Sequence, residues 1–275
     1  MTLPTIAICS WAFGHHRYPE IASVIRQLGC SGVELLLDIE ANVPAHINQI
    51  FSSEGISIIS MTPKNVDITD IEVSNRHNSI NYYQRLLDFA AELGSPAITI
   101  HEFIGRHIPA DDGEEEWERL VSSMIILAKY AEVCEVDLLL EPLSYPLVSQ
   151  IVSVKSAYKL AQIVNSKRLR IVLDTYHMSR TVNEDPILAI SLAASRLAAV
   201  QVSDSHRQGL GLGSINLNLY MDEFSRAGFI GPWIIESVCG IKAPSLSTQL
   251  VDQDKLYFNL KTSANWLRSR FMSTQ

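Results

Sequence analysis

The chain has 275 residues, of which 47% are hydrophobic, and a formal charge of −8. That length is close to the roughly 250 residues of a single α/β barrel, and the apolar content is enough to fill a large core. An acidic balance without a Lys/Arg cluster excludes the usual nucleic-acid binder, whose affinity comes mainly from cations on phosphate.

Thr5–Phe13 (TIAICSWAF) reads as the first strand. Pro19–Leu28 follows as a helix, with Pro at its start and Gly29 at its stop. Val33–Leu37 is the second strand, Pro44–Glu54 a helix ended by Gly55, and Ile56–Ser60 the third strand. His77–Leu93 is a long amphipathic helix, with Ile80, Tyr83, Leu87 and Ala90 at helical spacing. Ala97–Ile100 is the fourth strand. The acidic run Asp111–Glu116 suits the positive end of the helix Trp117–Cys134 and needs no functional reading. Val136–Leu140 is the fifth strand, Ser153–Val164 a helix capped by Ser153, and Arg170–Leu173 the sixth strand. Pro186–Ala194 is a helix, Ala198–Val202 the seventh strand and Asn216–Ala227 a helix. Trp233–Ile235 is the eighth strand, and Gln249–Phe271 the last helix.

Eight strand–helix alternations imply right-handed βαβ units and a parallel sheet. Closed on itself, such a sheet is a (β/α)8 barrel, here one domain over residues 1–275. An open doubly wound sheet is the alternative, but no phosphate-cradling Gly-rich loop follows the first strand. The four cysteines (Cys9, Cys30, Cys134, Cys239) form no CxxC pair. They read as reduced, mostly buried thiols. With no charged-then-apolar leader and no apolar run of about 18 residues, the expectation is a cytoplasmic protein without membrane partners.

The late strands share a feature. Leu138–Pro142 (LLLEP) ends a buried run in Glu141. IVLDTYH ends in Asp174, AVQVSD carries Gln201 and runs on to Asp204, and PWIIES ends in Glu236. A charge at the end of a buried strand is costly unless something pairs with it, and in a closed barrel those ends converge on one mouth. Glu141, Asp174, Gln201 and Glu236 are spaced by 33, 27 and 35 residues, each one strand–helix repeat. Four oxygen donors fit a hard divalent cation such as Mn²⁺ or Mg²⁺. The plainer reading is that each acid caps a helix or pairs with an Arg.

The EP after the fifth strand, the D-x-x-H after the sixth and the apolar run ending in Glu at the eighth resemble the sugar phosphate isomerase/epimerase family of xylose isomerase-like TIM barrels. The resemblance runs from about Thr5 to Glu236. It implies metal ligation by Glu141, Asp174, Gln201 and Glu236. Most members have His at the third position; Gln201, DTYHM and the stretch Arg207–Gly213 are similar to the hydroxypyruvate isomerase-like branch. Ketose 3-epimerases carry Asn, Arg and a further Glu soon after EP, where this chain has Leu143–Ser144–Tyr145–Pro146–Leu147.

The reading is therefore a metal-dependent isomerase or epimerase of a small sugar or hydroxy-carbonyl compound, with one divalent ion. Mn²⁺ is the expected metal, with Mg²⁺, Co²⁺ or Zn²⁺ as alternatives. As a Lewis acid the ion stabilises an enediolate, while Glu141 and Glu236 move the proton. His177, Arg207 and His101 are expected to bind substrate, Trp11 and Phe13 to form an apolar wall, and His15 and His16 to cover it. Oligomeric state is left open. Three alternatives compete. One is an endonuclease IV-like phosphodiesterase using His101, Glu141, Asp174, His177, Asp204, His206 and Glu236 for several zinc ions. Another is a dehydratase of the inosose or dehydroshikimate class, and the third a non-catalytic binding barrel.

Overall fold

Short β-branched and leucine-rich runs alternate with helices along the chain, and in the computed structural model the runs pair edge to edge. The structure describes residues 4–14, 17–239 and 250–273. The strands are β1 (Ile6–Cys9), β2 (Gly32–Leu36), β3 (Ser57–Thr62), β4 (Ala97–Ile100), β5 (Asp137–Leu140), β6 (Leu169–Asp174), β7 (Leu197–Val202) and β8 (Trp233–Ile235). All neighbours are parallel, and β8 pairs with β1 through Ile6 opposite Trp233, closing the barrel. Parallel strands are buried on both faces, which explains their continuous apolar runs. The helices are α1 (Tyr18–Gln27), α2 (Pro44–Ser53), α3 (Val73–Leu93), α4 (Gly113–Cys134), α5 (Val154–Val164), α6 (Thr175–Arg180), α7 (Pro186–Ala193), α8 (Leu217–Arg226) and α9 (Gln253–Ser273). On α3 the residues Ile80, Tyr83, Leu87 and Ala90 are all buried. No described helix is long and apolar enough to cross a membrane.

Three local differences from the sequence reading have physical causes. The first strand stops at Cys9, and Ser10–Phe13 winds into a 3₁₀ turn. Ser10 Oγ accepts the Leu36 amide at 2.8 Å, tying this turn to the end of β2. Gly14, at φ +68°, ends the turn in the left-handed region. The short helix α6 was not expected; the Asp174 side chain caps it by accepting the Tyr176 amide at 2.9 Å. The acidic start of α4 does more than suit the helix N-terminus. Asp112 caps the helix, but Glu116 is buried against Arg106 at 2.9 Å. The expected helix start at Gln249 and the loop residues His15 and His16 lie outside the described residues.

Two register shifts matter for the site. The β2–β3 ladder slips between Val33 and Glu34, bringing Ser60 opposite Glu34. The β6–β7 ladder slips between Ile171 and Val172, bringing Gln201 opposite Asp174. Bulges of this kind re-aim side chains and are common beside active sites.

Candidate active site

A cavity of about 210 Å³ opens where the C-terminal ends of the strands meet. Its floor is polar, with Glu34, Thr99 and Gln201; one side is apolar, with Trp11, Ile104, Leu143 and Leu147. Glu141 and Glu236 each sit one residue past their strand. Their amides still donate to the neighbouring strand, Glu141 to Ile100 at 3.0 Å and Glu236 to Val202 at 3.1 Å. The ladder thus holds both backbones while both carboxylates face the cavity.

The structure brings the expected residues to one place. Glu141, Gln201, Glu236, His101, His177 and Arg207 all line the cavity. Asp174 joins them from the end of β6, and ligand atoms of Glu141, Asp174 and His177 lie within 4.8 Å of one another. His177 thus stands among the acids as well as facing the cavity. Arg207 bridges two of them, with Nη2 on Asp174 Oδ2 and Nη1 on Glu236 Oε2, both at 2.8 Å. Its guanidinium also stacks over Tyr176, 4.5 Å from the ring centroid. The plainer reading of the acids therefore holds in part: Asp174 caps a helix with one oxygen and pairs with Arg207 through the other. Glu141 has no such partner among the described residues.

Burial dominates the electrostatics. It pushes the Glu141 carboxyl well above its usual range, and the nearby charges of Asp174 and Glu34 push further. Burial also drives Glu236 well up, with Arg207 opposing it. For Arg207 burial pulls down, but Glu236, Asp174 and Glu141 outweigh it and hold the guanidinium firmly charged. His177 is pulled down to about 4, chiefly by burial, and so is neutral. Its Nδ1 lies 3.2 Å from the Ser144 amide and 3.0 Å from Ser144 Oγ. His101 is also pulled down by burial. Its Nδ1 lies 2.7 Å from the Glu102 carbonyl, so it donates there and Nε2 is left as an acceptor.

The donor set fits a hard divalent cation. Gln201 Oε1 is buried with no hydrogen-bond partner, an orphan of the kind that calls for a ligand or ion. Carboxylate and amide oxygens suit Mn²⁺ or Mg²⁺.

Sequence reasoning missed Glu34, a fully enclosed carboxylate in the middle of β2. Its signal was a charge inside the apolar run GVELL. It also missed Thr62, Thr99 and Tyr176 on the cavity wall. Of the two expected wall aromatics, Trp11 lines the cavity, whereas Phe13 is buried elsewhere in the core. Asp204 and His206 do not line the cavity. The Asp204 carboxylate is taken up by the amides of Ser205, Gly211, Gly213 and Ile215. The multi-zinc set therefore does not assemble among the described residues. Cys9, Cys30 and Cys239 are buried, and Cys134 is half-buried.

The fold and this mouth define a (β/α)8 barrel with an acidic, polar site at the C-terminal end of its strands. Residues 22–269 match the model of the xylose isomerase-like TIM barrel family, and the chain belongs to that family. A Streptomyces coelicolor protein provisionally assigned as a hydroxypyruvate isomerase is 27% identical over 154 residues, 54% of each chain. The ketose 3-epimerase of Arthrobacter globiformis is 34% identical over 97 residues, 35% of this chain and 33% of that one. The chain thus spans about half the length of the first relative and a third of the second. The crystal structure of D-psicose 3-epimerase with D-tagatose from Clostridium cellulolyticum H10 superposes with a TM-score of 0.86. It has 19% identity and covers 97% of this chain and 99% of that one. That likeness speaks for the fold.

Proposed function

We propose that this protein is a divalent-metal-dependent isomerase or epimerase of a small, uncharged sugar or hydroxy-carbonyl compound. The observation that carries the reading is the convergence of Glu141 and Glu236, from β5 and β8, on one cavity beside Asp174, Gln201 and His177. Glu141, Asp174, Gln201 and Glu236 would hold the ion. When bound, it supplies Lewis-acid polarisation of the substrate carbonyl and stabilises the negative charge that follows proton loss.

The chain's own residues do the rest. Glu141 and Glu236 are the pair that takes the proton from a carbon next to the carbonyl and returns one. Return to the same carbon is epimerisation; return to its neighbour is aldose–ketose isomerisation. A carboxylate that also holds the ion is a weak base, and the burial of both groups, which favours their protonated forms, works against that. Arg207 keeps Glu236 in place at 2.8 Å. The free Nε2 of His101 offers a hydrogen-bonding group for a hydroxyl, His177 lines the same space with Nε2 2.9 Å from Arg207 Nη2, and Trp11, Leu143 and Leu147 help to exclude water.

Charge argues for an uncharged substrate. Among the described lining residues Arg207 is the sole Lys or Arg, and it is already paired with Asp174 and Glu236. Against a bound divalent ion and Arg207 stand the carboxylates Glu34, Glu141, Asp174 and Glu236, so the site has no surplus positive charge to hold a phosphate or carboxylate. The test is incubation of the purified protein with Mn²⁺ and a panel of ketoses, aldoses and hydroxypyruvate in D₂O. The expected result is conversion of a neutral sugar with deuterium entering at the reacting carbon. Absence of both conversion and deuterium uptake across the panel overturns the reading; preference for hydroxypyruvate overturns the charge argument.

A further inference from the structure

Besides Glu141 and Glu236, one further acid lines the cavity. Glu34 sits in the middle of β2 with 1% of its surface exposed. Three donors converge on it. Ser60 Oγ donates to Oε2 at 2.7 Å and Thr99 Oγ1 to the same oxygen at 3.3 Å, while Gln201 Nε2 donates to Oε1 at 3.1 Å. The slip in the β2–β3 ladder is what sets Ser60 opposite Glu34. Four strands, β2, β3, β4 and β7, thereby meet at one carboxylate.

The consequence falls on Gln201. A side-chain amide has one accepting end and one donating end, and only the oxygen can bind a cation. Left alone, the amide could turn either way. Glu34 Oε1 accepts only, so it draws Nε2 downward and turns Oε1 away from itself. That oxygen is the buried atom without a partner. A proton on Glu34 would not change this, because Oε2 faces two hydroxyls able to accept it and Oε1 stays an acceptor.

We propose that Glu34 is a positioning residue: it locks the Gln201 amide with its oxygen toward the divalent-cation site and thereby sets the affinity of that site. This rests on the reading of Gln201 as a metal ligand. Partners that orient a ligand from behind typically change metal affinity by about 10–100-fold when removed.

The experiment measures Mn²⁺ affinity by calorimetry in wild type, Glu34→Gln, and the exchanged pair Glu34→Gln with Gln201→Glu. In E34Q either end of residue 34 can face the amide, so the lock is lost and Mn²⁺ binding weakens by about 10–100-fold. The exchanged pair keeps one carboxylate, one amide and a reversed N–H···O bond. The carboxylate at 201 offers an oxygen whichever way it turns, so affinity returns near the wild-type value. A purely structural role for Glu34, through Ser60 and Thr99, gives no such recovery. If E34Q fails to fold, the exchanged pair decides alone. Affinity near wild type supports the proposal and lost affinity overturns it. Stoichiometric Mn²⁺ binding by wild type with equal binding by folded E34Q overturns the proposal and leaves the metal site standing. No Mn²⁺ uptake by wild type overturns both.

Discussion

Asp204→Asn isolates the loop that delivers Arg207. Asp204 Oδ2 accepts the amides of Gly211 and Gly213 at 2.9 and 3.1 Å. Oδ1 accepts those of Ser205 and Ile215 at 2.7 and 3.2 Å. Its carbonyl takes the Arg207 amide at 2.8 Å, and the Arg207 carbonyl takes that of Val238 at 2.7 Å. One carboxylate therefore folds the stretch 205–215 around itself and holds Arg207, at φ +49°, over the site. Asparagine replaces one accepting oxygen with an NH₂ facing two amide donors. Two charge-assisted bonds go, at about 1.5–3 kcal/mol each, for a loss of roughly 3–6 kcal/mol. At about 2–4 °C per kcal/mol for a chain near this size, Tm falls by roughly 6–24 °C. Thermal unfolding by circular dichroism measures this, and calorimetry with Mn²⁺ measures the metal site. The expected outcome is lower Tm and lower turnover, with Mn²⁺ affinity kept. An unchanged Tm refutes the reasoning. Loss of Mn²⁺ with the fold intact also refutes it, because Asp204 would then belong to the metal set.

Four further outcomes are expected. Glu236→Gln lowers turnover by about 10²–10⁴-fold, the usual weight of a general acid or base, measured by steady-state kinetics on the identified sugar. Arg207→Ala leaves Asp174 and Glu236 buried without their cation, costing about 3–5 kcal/mol when a chelator is present; added Mn²⁺ raises Tm more in this variant than in wild type. Burial lifts Glu102 from 4.5 to about 7, against the amides of Ile151 and Gln150 that pull it down. The folded form then holds the proton more tightly than the unfolded one. Its contribution favours the fold fully below pH 4.5 and is lost as pH rises through about 7, up to about 3 kcal/mol. Denaturant midpoints between pH 4.5 and 7.5 read this slope, which Glu102→Gln flattens. Gly213→Ala drives a methyl into the Asp204 carboxylate, and its Tm and activity fall together as in D204N.

Strand and helix order was legible because each element carries its own period and its own Pro, Gly or side-chain cap. That Glu141, Asp174, Gln201 and Glu236 meet at one mouth was legible too, because a polar residue at or near the end of a buried run stands out locally. What stayed hidden depends on partners far along the chain. Glu34 lies inside an apolar run, and its meaning comes from Gln201 on β7 and from a ladder slip that no local pattern announces. Helix α6 has six residues, too few for an apolar stripe, and its cap, Asp174, had been assigned as a ligand. Glu116 reads as one of several acids suited to a helix start, and only the fold sets Arg106, from the loop after β4, beside it. Arg207 was expected to bind substrate; its bridge between two acids depends on the folded loop and had no local signal.

Closure of the barrel has a consequence for the order in which the chain gains stability. Ile6 rests against Trp233, Ala7 against Ile234 and Ile8 against Ile235. The first strand of the barrel thus waits for its eighth before either is fully paired. Until then β1 offers an open backbone edge, the kind of exposed template that invites pairing with the wrong chain. Glu236 comes directly after β8, so the residue assigned to proton transfer is seated only when the ring shuts. A partly made chain is expected to have helices and sheet before it has any chemistry.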